Sequence, residues 1–147
     1  MADAALETRD RFAHFVEIAT RWGDNDVYGH VNNAVYYAYF DTVVNRFLIE
    51  RGLLDLAGSA AIGIVVETGC RFHRPLVFPD AIDAGLRVAK IGNSSVRYEL
   101  GLFRRGDPLV AASAHFVHVY VDRAARRPVP VPPEVRTALE ALVVKGA

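Results

Sequence analysis

Two hydrophobic periods run along this chain. Residues 33–51, NAVYYAYFDTVVNRFLIER, contain neither glycine nor proline, and Gly52 follows them. Asn32 or Asn33 supplies an N-cap, Gly52 supplies a C-cap, and a helix of about 19 residues is expected. Its β-branched and aromatic residues would also suit a strand, but the length and the caps favour the helix. The apolar positions Val35, Tyr36, Tyr39, Phe40, Val43, Val44, Phe47 and Leu48 wrap most of its circumference. A helix apolar on most sides is expected inside a fold rather than on its surface. Elsewhere the period is two. Residues 12–22 read as an imperfectly alternating strand, followed by the polar, glycine-bounded loop 23–29. After the helix, Ile62, Ile64, Val66, Thr68, Cys70 and Phe72 alternate with Gly63, Val65, Glu67, Gly69, Arg71 and His73. Residues 80–91, 95–104 and 109–121 continue as strands, separated by the turns Gly92-Asn93-Ser94 and Arg105-Gly106-Asp107-Pro108. Their even spacing predicts an antiparallel meander. Pro128, Pro130, Pro132 and Pro133 end the sheet, and a short helix is predicted from about 133 to 144.

An antiparallel sheet needs cover on one face, and only the apolar helix is long enough to provide it. Its span of roughly 28 Å crosses a sheet. The expected class is α+β: a five-stranded antiparallel sheet wrapped around a long central helix, the hotdog arrangement. One domain is expected over 1–147, with its core at about 12–122.

Composition narrows the function. Hydrophobic residues make up 52% and charged residues 23%, which is the balance of a packed globule. The 17 basic and 17 acidic side chains cancel, which argues against a nucleic-acid partner. A single cysteine, Cys70, excludes an intrachain disulfide and a thiolate zinc cluster. No His, Asp and Glu set has metal-ligand spacing, so neither a metal nor a cofactor is expected. No apolar run spans a bilayer and residues 1–11 lack a signal-peptide core, so a cytoplasmic location is expected without membrane attachment.

The densest chemistry lies in 21–33, Arg-Trp-Gly-Asp-Asn-Asp-Val-Tyr-Gly-His-Val-Asn-Asn. Two carboxylates, a histidine and amides precede the helix, whose first N–H groups and positive dipole end suit a developing oxyanion. A carboxylate there serves as general base or as nucleophile on a carbonyl carbon. The same residues also serve as turn and cap groups, and the pattern alone does not separate the two roles.

The run Asp24-Asn25-Asp26-Val27-Tyr28-Gly29-His30-Val31-Asn32-Asn33, continuing through Tyr36, Tyr39, Phe40 and Asp41, resembles the signature of the 4-hydroxybenzoyl-CoA thioesterase family of hotdog acyl-CoA thioesterases. Phe72-His73-Arg74-Pro75-Leu76, the hairpin Ile91-Gly92-Asn93-Ser94-Ser95 and Val121-Asp122-Arg123 extend the likeness over about residues 12–140. The resemblance implies hydrolysis of an acyl-CoA to free CoA and a carboxylic acid. It implies Asp26 as the catalytic carboxylate and the Asn33 N–H as the group that polarises the thioester carbonyl. It places Tyr28, Gly29, His30, Val31, Asn32 and Tyr36 around the substrate. Asp41 is the second candidate carboxylate, its alternative being a buried structural group paired with arginine or tyrosine. Asp24 reads as a structural partner of Arg21. Glu67, on the strand face shared with Gly63, Val65 and Gly69, is expected to line the cleft or to be a solvated edge residue. CoA phosphates need basic groups, and Arg71, Lys90, Ser94 and Ser95 are the candidates, with Arg74, Arg97, Arg104 and Arg105 behind them. The best-known type of the family carries a basic cluster at the central hairpin, where this chain has Gly92-Asn93-Ser94. A homodimer or homotetramer is implied, with clefts between subunits. Two rival readings are a hotdog hydratase or dehydratase and a non-catalytic acyl-CoA-binding protein.

Overall fold

The computed structural model describes residues 5–144. The elements run β1 (His14–Ala19), α1 (Asn33–Glu50), β2 (Ala61–Phe72), β3 (Ala81–Ile91), β4 (Ser95–Arg104), β5 (Ala112–Asp122) and α2 (Pro133–Glu140). All neighbours in the five-stranded sheet are antiparallel, in the order β1-β3-β4-β5-β2. The architecture is the expected one, an α+β hotdog with the sheet curled around α1.

The meander is shorter than the spacing implied. Only β3, β4 and β5 follow one another in space; β2 crosses to the far edge and pairs with β5. Strand lengths and turn residues carry no record of such a crossover, because residues 73–80 form an ordinary-looking connection. Residues 128–135 bring the chain back towards the sheet. Val131 N–H donates to the Asn93 carbonyl at 2.9 Å, and the Arg136 guanidinium donates to the Gly92 carbonyl at 2.6 Å. The terminal helix stops at Glu140, four residues before the expected end, because Leu142 and Val143 turn to meet Val88 of β3.

Helix α1 starts and stops for local reasons. The Asn32 side chain accepts from Ala34 N–H at 2.9 Å as the N-cap. Gly52, at φ +68°, ends the helix, with Leu53 N–H returning to the Leu48 carbonyl at 2.8 Å. Its core stripe is Tyr36, Tyr39, Phe40, Val43, Val44, Phe47 and Leu48. Each such side chain contributes about 1.5–3 kcal/mol when fully buried. Burial all round is corrected: Ala34, Ala38, Asp41, Thr42, Arg46 and Ile49 are exposed. The helix lies in the concave face of the sheet with one side open, and its small and polar residues mark that side.

A bulge between Val65 and Glu67 divides β2. It shifts the alternation by one residue, because an extra residue moves every following side chain to the other face. Gly63 and Val65 pair with Tyr120 and His118, which are buried against the core. Glu67 and Gly69 pair with Val117 and His115 on the outer face. The single face expected for Gly63, Val65, Glu67 and Gly69 therefore does not exist.

Candidate active site in the loop before the long helix

The loop between β1 and α1 is fixed at both ends. Asp24 is almost fully buried, at 1% exposure. It accepts from Arg21 N–H at 2.8 Å, from the Arg21 guanidinium at 3.2 Å and from the Tyr39 hydroxyl at 2.7 Å. Its carbonyl accepts from Asn32 N–H at 2.9 Å. This is the structural partner of Arg21 expected from sequence, with Tyr39 of the helix added. Burial pushes the Asp24 carboxyl up, but the bonds from Tyr39 and Arg21 outweigh it and hold the group below its ordinary value. A carboxylate whose folded pKa is depressed stabilises the fold above its unfolded pKa of about 3.9 and loses that contribution as pH falls through the folded value. Tyr39→Phe removes one of the bonds that favour the ionised form. Its acid-unfolding midpoint, followed by circular dichroism, is expected at higher pH than the wild type's, and an unchanged midpoint would separate Tyr39 from Asp24.

Asp26 begins a tight turn. Its N–H donates to the His30 carbonyl at 3.0 Å, and Gly29 N–H donates to the Asp26 carbonyl at 3.1 Å. Gly29 sits at φ +83°, where a Cβ is strained. The two Asp26 oxygens have different partners: Oδ1 accepts from Tyr28 N–H at 2.8 Å, and Oδ2 accepts from Asn32 Nδ2 at 3.1 Å. Asn32 is thus a bridge. Its amide nitrogen holds Asp26 while its amide oxygen caps the N–H of Ala34. The next residue, Asn33, opens the helix, and its N–H meets no acceptor among the described residues. Val31 N–H to the Leu76 carbonyl at 2.8 Å and Phe78 N–H to Asn25 Oδ1 at 3.0 Å pin the loop to the segment after β2.

Beside the helix start lies a groove of about 300 Å³, with His30, Val31, Asn33, Tyr36 and Phe72 among its walls. Phe72 meets Tyr36 edge to face at 4.8 Å. Burial raises the Tyr36 phenol, which stays protonated at neutral pH. His73, Arg74 and Pro75 complete the groove. Phe72, His73 and Pro75 were given no role in the site from sequence, although they sit in one of the stretches that carried the resemblance. Arg74 pairs with Asp107 at 2.8 Å and His73 Nε2 lies 3.1 Å from Ser113 Oγ, so both are held at the rim by the sheet behind them.

Asp26, Tyr28, Gly29, His30, Val31, Asn32, Asn33 and Tyr36 therefore fall in one neighbourhood. Asp26 does not itself line the groove and reaches the helix start through Asn32. Asp41 lies eight residues further on, about 12 Å along the helix. It is exposed and accepts from Asn45 Nδ2 at 3.0 Å, which differs from the buried pairing with arginine or tyrosine weighed as its alternative.

Glu67 lies on the outer face, where its carboxylate meets His115 Nε2 at 2.8 Å and Arg97 at 3.8 Å. Arg71 lies on the same face, on the wall of a depression of about 520 Å³ with Arg87 and Arg97. Lys90, Ser94 and Ser95 occupy the opposite end of the sheet. Phe72 pairs with Ala112 and Ser95 with Val119, seven residues apart on β5, or about 23 Å. Within one chain Arg71 and the hairpin do not converge.

The fold and this loop have known counterparts. The chain is similar to the PA5185 protein of Pseudomonas aeruginosa strain PAO1 at 52% identity, with 97% of this chain and 99% of that one covered and a TM-score of 0.93. It is similar to the PA2801 protein of Pseudomonas aeruginosa, a proposed thioesterase, at 33% identity, with 86% and 98% covered and a TM-score of 0.80. It is similar to BH1999, a gentisyl-coenzyme A thioesterase, at 26% identity, with 86% and 99% covered and a TM-score of 0.76. The profile of the thioesterase-like superfamily matches residues 20–139, which contain the loop, the helix and the sheet from β2 onward. The chain belongs to the thioesterase-like superfamily.

Proposed function

We propose that this protein hydrolyses acyl-CoA thioesters in the cytoplasm, as a member of the 4-hydroxybenzoyl-CoA thioesterase branch of its superfamily. The observation that carries the reading is the Asn32 bridge, which couples the Asp26 carboxylate to the first turn of α1. A thioester carbonyl in the adjoining groove directs its oxygen at the Asn33 N–H, where the helix dipole favours negative charge. Asp26 activates a water, or attacks the carbonyl carbon itself, and the thiolate of CoA departs. Asn32 orients Asp26 for either role, and Asp41 is the second candidate carboxylate. Tyr28, Gly29, His30, Val31 and Tyr36 shape the reacting end of the cleft.

The site is completed by a second copy of the chain. β2 is an open edge of 12 residues with Val65, Val66 and Phe72 exposed, and unpaired strand edges invite strand pairing. A two-fold axis near the middle of β2 sets the Phe72 end of one copy beside the Ala61 end of the other. That arrangement carries Lys90, Ser94 and Ser95 of the partner subunit toward the Phe72 end of the strand, where they and Arg71, on the outer face beside it, are the candidate contacts for the CoA phosphates. The test is thiol release from short, long and aromatic acyl-CoAs by the fraction that light scattering identifies as dimer or tetramer. Turnover by that fraction is expected. A purely monomeric protein, or one that binds acyl-CoA without releasing thiol, would overturn the reading.

A further inference from the structure

A half-buried cation stands at the end of β5 without a counter-charge. Arg123 follows Asp122, the last residue of that strand. Its backbone N–H donates to the Ala60 carbonyl at 2.8 Å, its Nε to the Ser59 carbonyl at 2.6 Å and its Nη2 to the Asp55 carbonyl at 3.2 Å. These bonds fix the guanidinium on neutral acceptors, and no carboxylate pairs with it among the described residues. The acidic groups closest to these anchors are spent on backbone N–H groups. Asp122 Oδ2 accepts from Ala124 at 3.1 Å and Ala125 at 2.6 Å, and Asp55 Oδ1 accepts from Ala57 at 3.0 Å. Arg87, also shielded from solvent, has Glu7 at 2.6 Å and Glu99 at 2.9 Å instead. A charge partly withdrawn from water without a partner favours an arriving anion. The planar guanidinium fork matches a carboxylate.

Arg123 also lines a cavity. It has a volume of about 220 Å³ and lies between the C-terminal half of α1 and the start of β2. Leu48, Leu53, Leu54 and Ile62 give it apolar walls, and Arg123 is the one charged residue among those that line it. Asn45 adds an amide whose nitrogen is spent on the Asp41 carbonyl at 2.9 Å and the Asp41 carboxylate at 3.0 Å. The lining is therefore amphipathic, and so is the ligand that it fits. At roughly 30 Å³ per water-sized group, the space holds about seven such groups, which is a carboxylate with a short alkyl chain.

We propose that this cavity binds a carboxylate on a short alkyl chain, with Arg123 as the counter-ion and the leucines around the chain. Such a chain has two sources. One is the far end of an ω-carboxyacyl thioester, and this source rests on the thioesterase reading. Antiparallel pairing of two β2 edges sets the cavity at the Ala61 end of one copy beside the groove at the Phe72 end of the other. The second source is a free aliphatic carboxylic acid.

Thermal shift compares hexanoate and octanoate with hexan-1-ol and octan-1-ol. The acids are expected to raise the wild-type melting temperature more than the alcohols of equal length, and Arg123→Gln is expected to abolish the difference. Arg123→Lys, which keeps the charge, is expected to retain part of it. Thiol release compares octanoyl-CoA with 7-carboxyheptanoyl-CoA, its ω-carboxy counterpart. A wild-type preference of about tenfold or more in kcat/KM for the carboxylated chain, lost in Arg123→Gln, assigns the site to the acyl group; that factor is the size of a charge-assisted hydrogen bond. An Arg123-dependent thermal shift with a kcat/KM ratio that Arg123→Gln leaves unchanged assigns it to free acids. Dependence of neither measurement on Arg123 would overturn the proposal. Absence of thiol release from both substrates would instead sink the thioesterase reading, and the thermal shift alone then decides the cavity. If Arg123→Gln fails to fold, the structure of the wild type with octanoate decides: a carboxylate within hydrogen-bond distance of the Arg123 guanidinium supports the site, and one bound elsewhere overturns it.

Discussion

Asp26→Asn is expected to fold like the wild type and to hydrolyse acyl-CoA about 10²–10⁴-fold more slowly, the size of a lost acid–base group. The substitution conserves shape and removes charge. The introduced amide has one accepting oxygen where the Asp26 carboxylate uses two, for Tyr28 N–H and for Asn32 Nδ2. One of those donors then faces an amide nitrogen, at a cost of about 1 kcal/mol in a partly exposed turn. The loop keeps its remaining ties: Asp24 with Tyr39 and Arg21, Asn25 with Phe78, and Val31 with Leu76. A fall in kcat with little change in melting temperature therefore isolates the chemical role. Near-wild-type turnover would remove Asp26 from the mechanism and turn attention to Asp41, the other carboxylate implied by the resemblance.

Phe47→Ala is expected to cost about 3–5 kcal/mol in equilibrium urea unfolding, the usual loss for a fully buried phenylalanine. Phe47 has no exposed surface. Its ring is packed edge to face with His14 of β1 at 5.1 Å and lies under the Arg51 guanidinium at 4.9 Å, so one side chain joins the sheet, the helix and its C-terminal cap. The total stability of a domain this size is about 5–15 kcal/mol, so the loss is a large fraction of it. One residue before it, Arg46 pairs with Glu50 on the exposed side, and truncating that pair is expected to cost less than about 0.5 kcal/mol. If the two substitutions cost the same, α1 is not the element that organises the core.

The helix and the loop before it were legible in the sequence because their signals are local. An uninterrupted apolar run between an asparagine and a glycine fixes a helix, and turn-forming residues before it fix a loop at its N-terminus. The pairing of Arg21 with Asp24 was legible for the same reason, since three residues separate the partners. The tie from Tyr39 to Asp24 was not, because it depends on how the loop folds back over the helix. The bulge at Val65 is a single-residue event that leaves an ordinary alternating pattern on either side, and it sent Glu67 to the opposite face from Gly63. The crossover that puts β2 beside β5 is set by competition among strands for partners, which no short window contains. His118 and Tyr98 read as interior residues of good strands; only three dimensions show that their buried polar atoms lack partners among the described residues.

The most direct measurement is the structure of Asp26→Asn with an unhydrolysed acyl-CoA bound. The account predicts the thioester carbonyl oxygen within hydrogen-bond distance of the Asn33 N–H, with the carbonyl carbon facing side chain 26 and the acyl group passing toward a neighbouring subunit. A thioester bound elsewhere, such as in the arginine-lined depression on the outer face of the sheet, would contradict it.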